Sequence, residues 1–180
     1  VREEMLGLEY FRKVNDLFDF EQTKDLNSLD CSALPAFSRL KDMLYSEGFI
    51  QWMEQVTGIE DLRRDKVDLF SALYGPTDHL LCHNDELQDR RVAFILYLVD
   101  RDWAVEDGGL LEFFDTEEGV NHPCADPPVS LLPSFNSFAF FNVRPDSWHQ
   151  VGEVTGQRQR LTVSGCESAA PHGMTTYIIA

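Results

Sequence analysis

The chain is short of positive charge: Lys and Arg total 15 against 31 Asp and Glu, a formal net charge of −16 over 180 residues. That deficit argues against a nucleic-acid backbone or an anionic membrane as the main partner, because both are themselves anionic. It permits a basic protein or peptide partner, although an acidic balance often reflects solubility alone. Cysteine is scarce as well. Cys31, Cys82, Cys124 and Cys166 lie far apart and form no C-x-x-C pair, which removes zinc ribbons and disulfide frameworks and suits a reduced, intracellular setting. No apolar run is long enough to span a bilayer, and "VREEMLGLEY" has neither the basic start nor the apolar middle of a secretory signal. The expected location is cytoplasmic or nuclear. Internal repeats and low-complexity tracts are also missing.

What is present suffices for one core: 43% of residues are hydrophobic and 12% aromatic, in a length that suits a single domain. Residues 1–65 are expected to form a helical lead-in, partly irregular in the polar stretch "FRKVNDLFDFEQTKDLNSLD". Within "LPAFSRLKDMLYSEGFIQWMEQVTG", Phe37, Leu40, Met43, Leu44, Phe49, Ile50, Trp52 and Met53 recur at spacings that share a face of one helix or two successive helices. Gly58 supplies a stop. From about Lys66 the pattern changes to short β-like runs: "VDLFSALY", "HLLCH", "RRVAFILYLV", "GLLEFFD", "VSLLP", "SFAFFNV", "WHQVGEV" and "RQRLTVSGC". Eight short strands over residues 66–167 predict a mainly β barrel or jelly roll with the helices packed outside it. The loops "DRDWAVEDGG" and "TEEGVNHPCADPP" are expected to border a substrate cleft.

The stretch "CHNDE" places His83 and Asp85 two residues apart, so on an extended chain they face the same side and can present an imidazole and a carboxylate to one point. Such a pair suits Fe(II) when a second histidine completes one face of an octahedron and leaves the other positions open. His79 sits too far along the same extended strand to close the site, and His122 and His172 sit in irregular segments. His149 begins the short apolar strand "WHQV", late enough for the chain to return to the first ligands. Arg160 follows eleven residues later, on a strand whose alternation puts Arg158, Arg160, Thr162 and Ser164 on one face and Leu161 and Val163 on the other. A guanidinium beside a metal site can grip a carboxylate by two parallel hydrogen bonds, which orients a dicarboxylic acid whose other end chelates the metal. A lone H-x-D arises easily by chance; with the late histidine and the strand arginine the pattern is far more specific. Cys82 alternates away from His83 and reads as packing.

These residues resemble the 2-oxoglutarate and Fe(II)-dependent oxygenase superfamily. "LLCHNDELQDRRVAFILYLV", "SFAFFNVRPDSWHQVGEV" and "QRLTVSG" are similar in particular to the ribosomal prolyl hydroxylases, the group of the fungal termination-and-polyadenylation proteins and their animal relatives. The resemblance implies a double-stranded β-helix with His83, Asp85 and His149 as iron ligands and Arg160 on the far carboxylate of 2-oxoglutarate. Tyr97 stands where related prolyl hydroxylases bond the same carboxylate, and Tyr74 is a further co-substrate or substrate contact. Dioxygen is the implied oxidant and ascorbate an implied stimulant. The implied reaction is 3-hydroxylation of a proline in a small-ribosomal-subunit protein, with effects on translational accuracy and termination; such a basic substrate is compatible with the acidic charge. Rival readings are an oxygen-sensing prolyl 4-hydroxylase of a transcription factor and a non-catalytic β-helix that binds partners. Two positions depart from the pattern: Asn84 where relatives often carry a second acid, and Cys166 where an aromatic is expected. Longer relatives add a second, degenerate β-helix domain, so the chain is expected to be a single-domain member or an excised catalytic half.

Overall fold

The computed structural model describes residues 1–87, 89–116 and 121–169. It contains α1 (Arg2–Leu6), β1 (Phe11–Val14), β2 (Phe18–Gln22), α2 (Pro35–Leu44), α3 (Glu47–Thr57), β3 (Leu62–Tyr74), β4 (His79–His83) and β5 (Arg90–Tyr97). There follow β6 (Leu111–Phe113), β7 (Val129–Leu131), β8 (Phe138–Asn142), β9 (His149–Val151) and β10 (Arg160–Ala169). Every strand pairing is antiparallel, in the order β7-β6-β9-β4-β2-β3-β10-β5-β8, with β1 attached to β2. The sheet curls until residues of β4, β6 and β9 face those of β3, β5 and β10 across one cavity. All eight expected strands are present, and the mainly β jelly-roll expectation holds.

The lead-in departs from expectation. It is not wholly helical: β1 and β2 form a hairpin, and β2 inserts between β3 and β4 in the sheet. The local cause is legible in "NDLFDFEQ". The Asn15 side chain accepts from the backbone N–H of Leu17 at 2.8 Å and of Phe18 at 3.0 Å, closing an Asx-type turn. The alternation beyond it turns Phe20 inward, where it stacks on Tyr74 with ring centroids 4.7 Å apart. A boundary at residue 65 therefore divides one continuous sheet, since β3 itself begins at Leu62.

The two expected helices form as α2 and α3. Ser46 caps α3 by accepting from Phe49 N, and Gly58 ends it in the left-handed conformation at φ 70°. Phe37, Leu44, Ile50 and Met53 are buried against the outer face of β3, β5 and β10, each contributing about 1.5–3 kcal/mol of burial. Met43 and Trp52, read from periodicity as part of that face, are instead exposed. No helix among the described residues is long and apolar enough to cross a membrane.

Candidate active site

Strand β10 divides the molecule. Arg160, Thr162, Ser164 and Cys166 point into a cavity of about 100 Å³, while Leu161 and Val163 point out to the helices. One apolar cluster, built on Phe20, Ala72, Tyr74, Val151 and Val154, closes the Arg160 end; another, built on Ala93, Phe141, Val143 and Cys166, closes the opposite end. Between them lie His83, Asp85 and His149.

Strands β4 and β9 bring the two histidines into register as a cross-strand pair, and their rings stand 4.2 Å apart. Asp85 Oδ1 is 3.4 Å from His83 Nε2, and Oδ2 is 3.6 Å from His149 Nε2. The three donor atoms lie within 4.8 Å of one another, in the only such group of metal-ligating side chains among the described residues. Adjacent ligands on an ion with bonds of about 2.1 Å stand about 3 Å apart, so a small closing movement would seat a divalent cation. Each imidazole is oriented for that role. His83 Nδ1 lies 2.8 Å from Leu81 O, and His149 Nδ1 lies 2.8 Å from Ser147 O. When Nδ1 carries the proton donated to that carbonyl, Nε2 is free to turn a lone pair to a metal ion in place of its contact with the acid.

The expected reason for the convergence of His83 and Asp85 needs correction. β4 ends at His83, and Asp85 lies beyond it with φ 58°. A turn into the left-handed region aims its carboxylate, rather than the alternation of a strand; aspartate tolerates that conformation better than most side chains. Burial pushes the Asp85 carboxyl up, but the adjoining imidazoles of His149 and His83 outweigh burial and hold it far below the ordinary carboxylate range. It is an anion whenever the protein is folded near neutrality.

Sequence reasoning undervalued Asn84. Its side chain donates to Pro145 O at 2.9 Å, and its own carbonyl accepts from Ser147 Oγ at 2.9 Å. Because Ser147 O also receives His149 Nδ1, these contacts tie the two ligand-bearing segments together. Arg90, too, was missed: it lines the cavity, donates to Asp68 Oδ2 at 3.2 Å and stands 3.8 Å from Asp85 Oδ1. Its position beside "DRR" gave no signal, because the contact depends on the curl of the sheet.

At the far end Arg160 is fully buried and pairs in register with Tyr74. Its guanidinium carbon lies 5.1 Å from the Tyr97 ring and 5.2 Å from the Tyr74 ring. Among the described residues neither Arg160 Nη2 nor the Tyr97 hydroxyl has a hydrogen-bond partner, although both are buried. Buried donors left open at a cavity are what an anionic ligand would satisfy. Tyr74 forms the cavity wall, whereas Tyr97 stands behind Arg160. Burial raises both phenols, so both remain protonated donors. Of the remaining histidines, His79 is engaged with Thr77 O at 3.0 Å, and His172 lies outside the described residues. Cys82 is half-buried and outside the trio. The loop "TEEGVNHPCADPP" is described only in part, residues 117–120 lying outside.

A curled antiparallel sheet holding two histidines and an aspartate at one end of a cavity, with a buried arginine at the other, defines a class of protein. The family model described as 2OG-Fe(II) oxygenase superfamily matches residues 69–166, more than half of the chain, and the chain belongs to that superfamily. Its metal and co-substrate are accordingly Fe(II) and 2-oxoglutarate, and the donor set and the open guanidinium fit both. Among curated relatives, the chain is 43% identical over 167 residues to prolyl 3-hydroxylase OGFOD1 of Xenopus laevis, covering 92% of this chain and 31% of that protein. It is 39% identical over 163 residues to prolyl 3,4-dihydroxylase OGFOD1 of Ostreococcus tauri, covering 85% of this chain and 31% of that one. The chain thus spans about a third of the length of these relatives. Its fold is shared with a crystal structure of a Pseudomonas putida prolyl-4-hydroxylase, at a TM-score of 0.66 and 20% identity over 94% of this chain and 82% of that one.

Proposed function

We propose that this chain is a prolyl hydroxylase domain in which His83, Asp85 and His149 hold Fe(II) and Arg160 holds the far carboxylate of 2-oxoglutarate. The observation that carries the proposal is the pairing of the His–Asp–His trio with a fully buried arginine whose Nη2 is open, across one small cavity. When bound, Fe(II) and 2-oxoglutarate supply the coupling of dioxygen-dependent decarboxylation, which yields succinate and carbon dioxide, to insertion of one oxygen atom into a substrate C–H bond.

The chain's own residues bind, orient and exclude water. The two Nε2 atoms and the Asp85 carboxylate would hold Fe(II) as its three protein ligands. Arg160 donates to the distal carboxylate, with the Tyr97 hydroxyl as a second donor. The stacked Phe20 and Tyr74 rings give the co-substrate methylenes an apolar wall and Tyr74 limits water at that end. At the other end Phe141 packs edge-on to the His149 ring at 4.5 Å, and burial pushes the Cys166 thiol up to about 12. A neutral thiol among phenyl rings suits an apolar ring such as that of proline better than a charged side chain.

The proline belongs to a small-ribosomal-subunit protein, whose hydroxylation affects translational accuracy and termination, in the cytoplasm or nucleus; a basic partner of this kind matches the formal charge of −16. The name of the Xenopus laevis relative supports attack at the 3-position. The decisive assay incubates the chain with Fe(II), 2-oxoglutarate, dioxygen and small-subunit proteins, and reads succinate formation together with the mass of one added oxygen. NMR of the product assigns the carbon. A product that persists when His149→Ala replaces the wild type would sink the assignment, and an acidic transcription-factor peptide hydroxylated in preference would redirect the substrate.

A further inference from the structure

The fully buried Arg160 is held to the protein at Nε, which donates to Gly109 O at 2.7 Å. Gly109 closes residues 102–109, the segment that leads straight into β6, whose Phe113 pairs with the ligand His149. The anchor of the arginine is therefore built on the half of the sheet that carries the metal ligands.

Asp107 is the hub of that segment. Its carboxylate accepts from Ala104 N at 2.9 Å, from Arg158 Nε at 3.0 Å and from Arg158 Nη2. Its carbonyl accepts from Thr155 N at 3.0 Å and Gly156 N at 3.1 Å. Trp103 Nε1 donates to Gly108 O at 3.1 Å, and the Arg158 guanidinium carbon stands 5.5 Å from the Trp103 ring. Gly109 N donates to Glu153 O at 2.9 Å. Two arginines of neighbouring position thus grip one loop. Arg158 takes it from the outer side through Asp107, and Arg160 takes it from within through Gly109. Gly109 itself has φ +66°, and a Cβ there would come within 2.7 Å of Arg160 Cδ and 3.2 Å of Val154 Cγ2. No side chain fits without displacing the guanidinium or the loop.

We propose that Asp107, Arg158 and Gly109 form a clamp that sets where the Arg160 guanidinium sits, and hence the length of dicarboxylate that the site accepts. Asp107 and Arg158 are positioning residues; Gly109 is a determinant of co-substrate specificity. This rests on Arg160 being the co-substrate anchor, and the experiment separates the two ideas. The whole chain is loaded with Mn(II), a redox-quiet divalent ion, and titrated calorimetrically with 2-oxoglutarate and with the 2-oxo diacids one methylene shorter and one longer.

Because an anchor misplaced by an ångström forfeits most of its binding energy, Gly109→Ala is expected to weaken 2-oxoglutarate binding about 100-fold and Arg158→Gln about 10-fold. Mn(II) affinity should be unchanged, the preference among the three diacids should flatten, and Arg158→Lys should restore part of the loss. A purely structural role for Arg158 would lower the melting temperature without moving that preference. If Gly109→Ala and Arg158→Gln bind Mn(II) and all three diacids as the wild type does, the clamp is wrong. Should Gly109→Ala fail to retain Mn(II), Arg158→Gln decides by the same criterion. A wild type that binds Mn(II) but no 2-oxoglutarate overturns the role of Arg160 itself, and the clamp with it.

Discussion

Glu167 offers a test of how burial is managed on the strand that carries Arg160. Its side chain is fully buried on the helix-facing side of β10, in register with Val67 and Val92, and among the described residues neither carboxyl oxygen has a hydrogen-bond partner. Burial pushes the acid up to about 8 from an ordinary value of 4.5. The folded state therefore keeps a proton that the unfolded chain releases between those two values. The sign follows: this contribution to stability is fully present below the unfolded value and is lost as pH rises toward the folded one. With each pKa unit equal to about 1.4 kcal/mol, the loss is on the order of 3–5 kcal/mol by the alkaline end. Glutamine at 167 cannot ionise, so Glu167→Gln should match the wild type near the ordinary carboxylate pKa and exceed it progressively above. Urea unfolding of both proteins at intervals between about pH 5.5 and 8.5 reads the difference directly. A gap that does not widen with pH, or a variant less stable at the alkaline end, would refute the assignment of Glu167 as a buried neutral acid.

Three further outcomes are expected. Arg160→Gln removes a buried cation that lines the cavity and should weaken 2-oxoglutarate binding by about 30-fold or more while leaving Mn(II) affinity intact, measured by the same calorimetry. Tyr97→Phe should raise the KM for 2-oxoglutarate about fivefold, since one donor is lost. Asn84→Ala removes the side-chain bond to Pro145 O while the backbone bond from Ser147 Oγ stays, and should lower Fe(II) affinity about 10-fold, read by anaerobic titration, while binding of 2-oxoglutarate to the metal-loaded protein changes little.

The sheet was legible wherever side chains alternate over a run bounded by turn residues. Strands β3 to β10 fall where "VDLFSALY" through "RQRLTVSGC" predict them, and the faces of Arg160, Thr162 and Ser164 on the one hand and Leu161 and Val163 on the other are as alternation requires. The hairpin of β1 and β2 was harder because charged residues occupy its outward positions, so "FDFE" resembles a polar linker unless Phe18 and Phe20 are weighed as a pair. The convergence of His83, Asp85, His149 and Arg160 was foreseeable from residue type and order. The means of convergence was not: a left-handed backbone at Asp85 and the contacts of Asn84 with Pro145 and Ser147 arise from long-range geometry. Arg90 and the Asp107 hub belong to the same category, since their partners lie 22 and 51 residues away in the chain.

The insertion of β2 has a consequence for anyone trimming this protein. Its ladder contacts are few, Glu21–Leu73 and Gln22–Ala72 on one side and Phe18–Leu80 and Asp19–His79 on the other. Yet in the order of the sheet β2 and β3 together separate β4 and β9, which carry the two histidines, from β10, which carries Arg160. A fragment beginning at residue 66 would keep His83, Asp85, His149 and Arg160 but lose Phe20 from the cavity wall and the strand between β3 and β4. A unit that keeps the sheet continuous and the cavity wall complete therefore begins upstream of Phe18, in a stretch that supplies none of those four side chains.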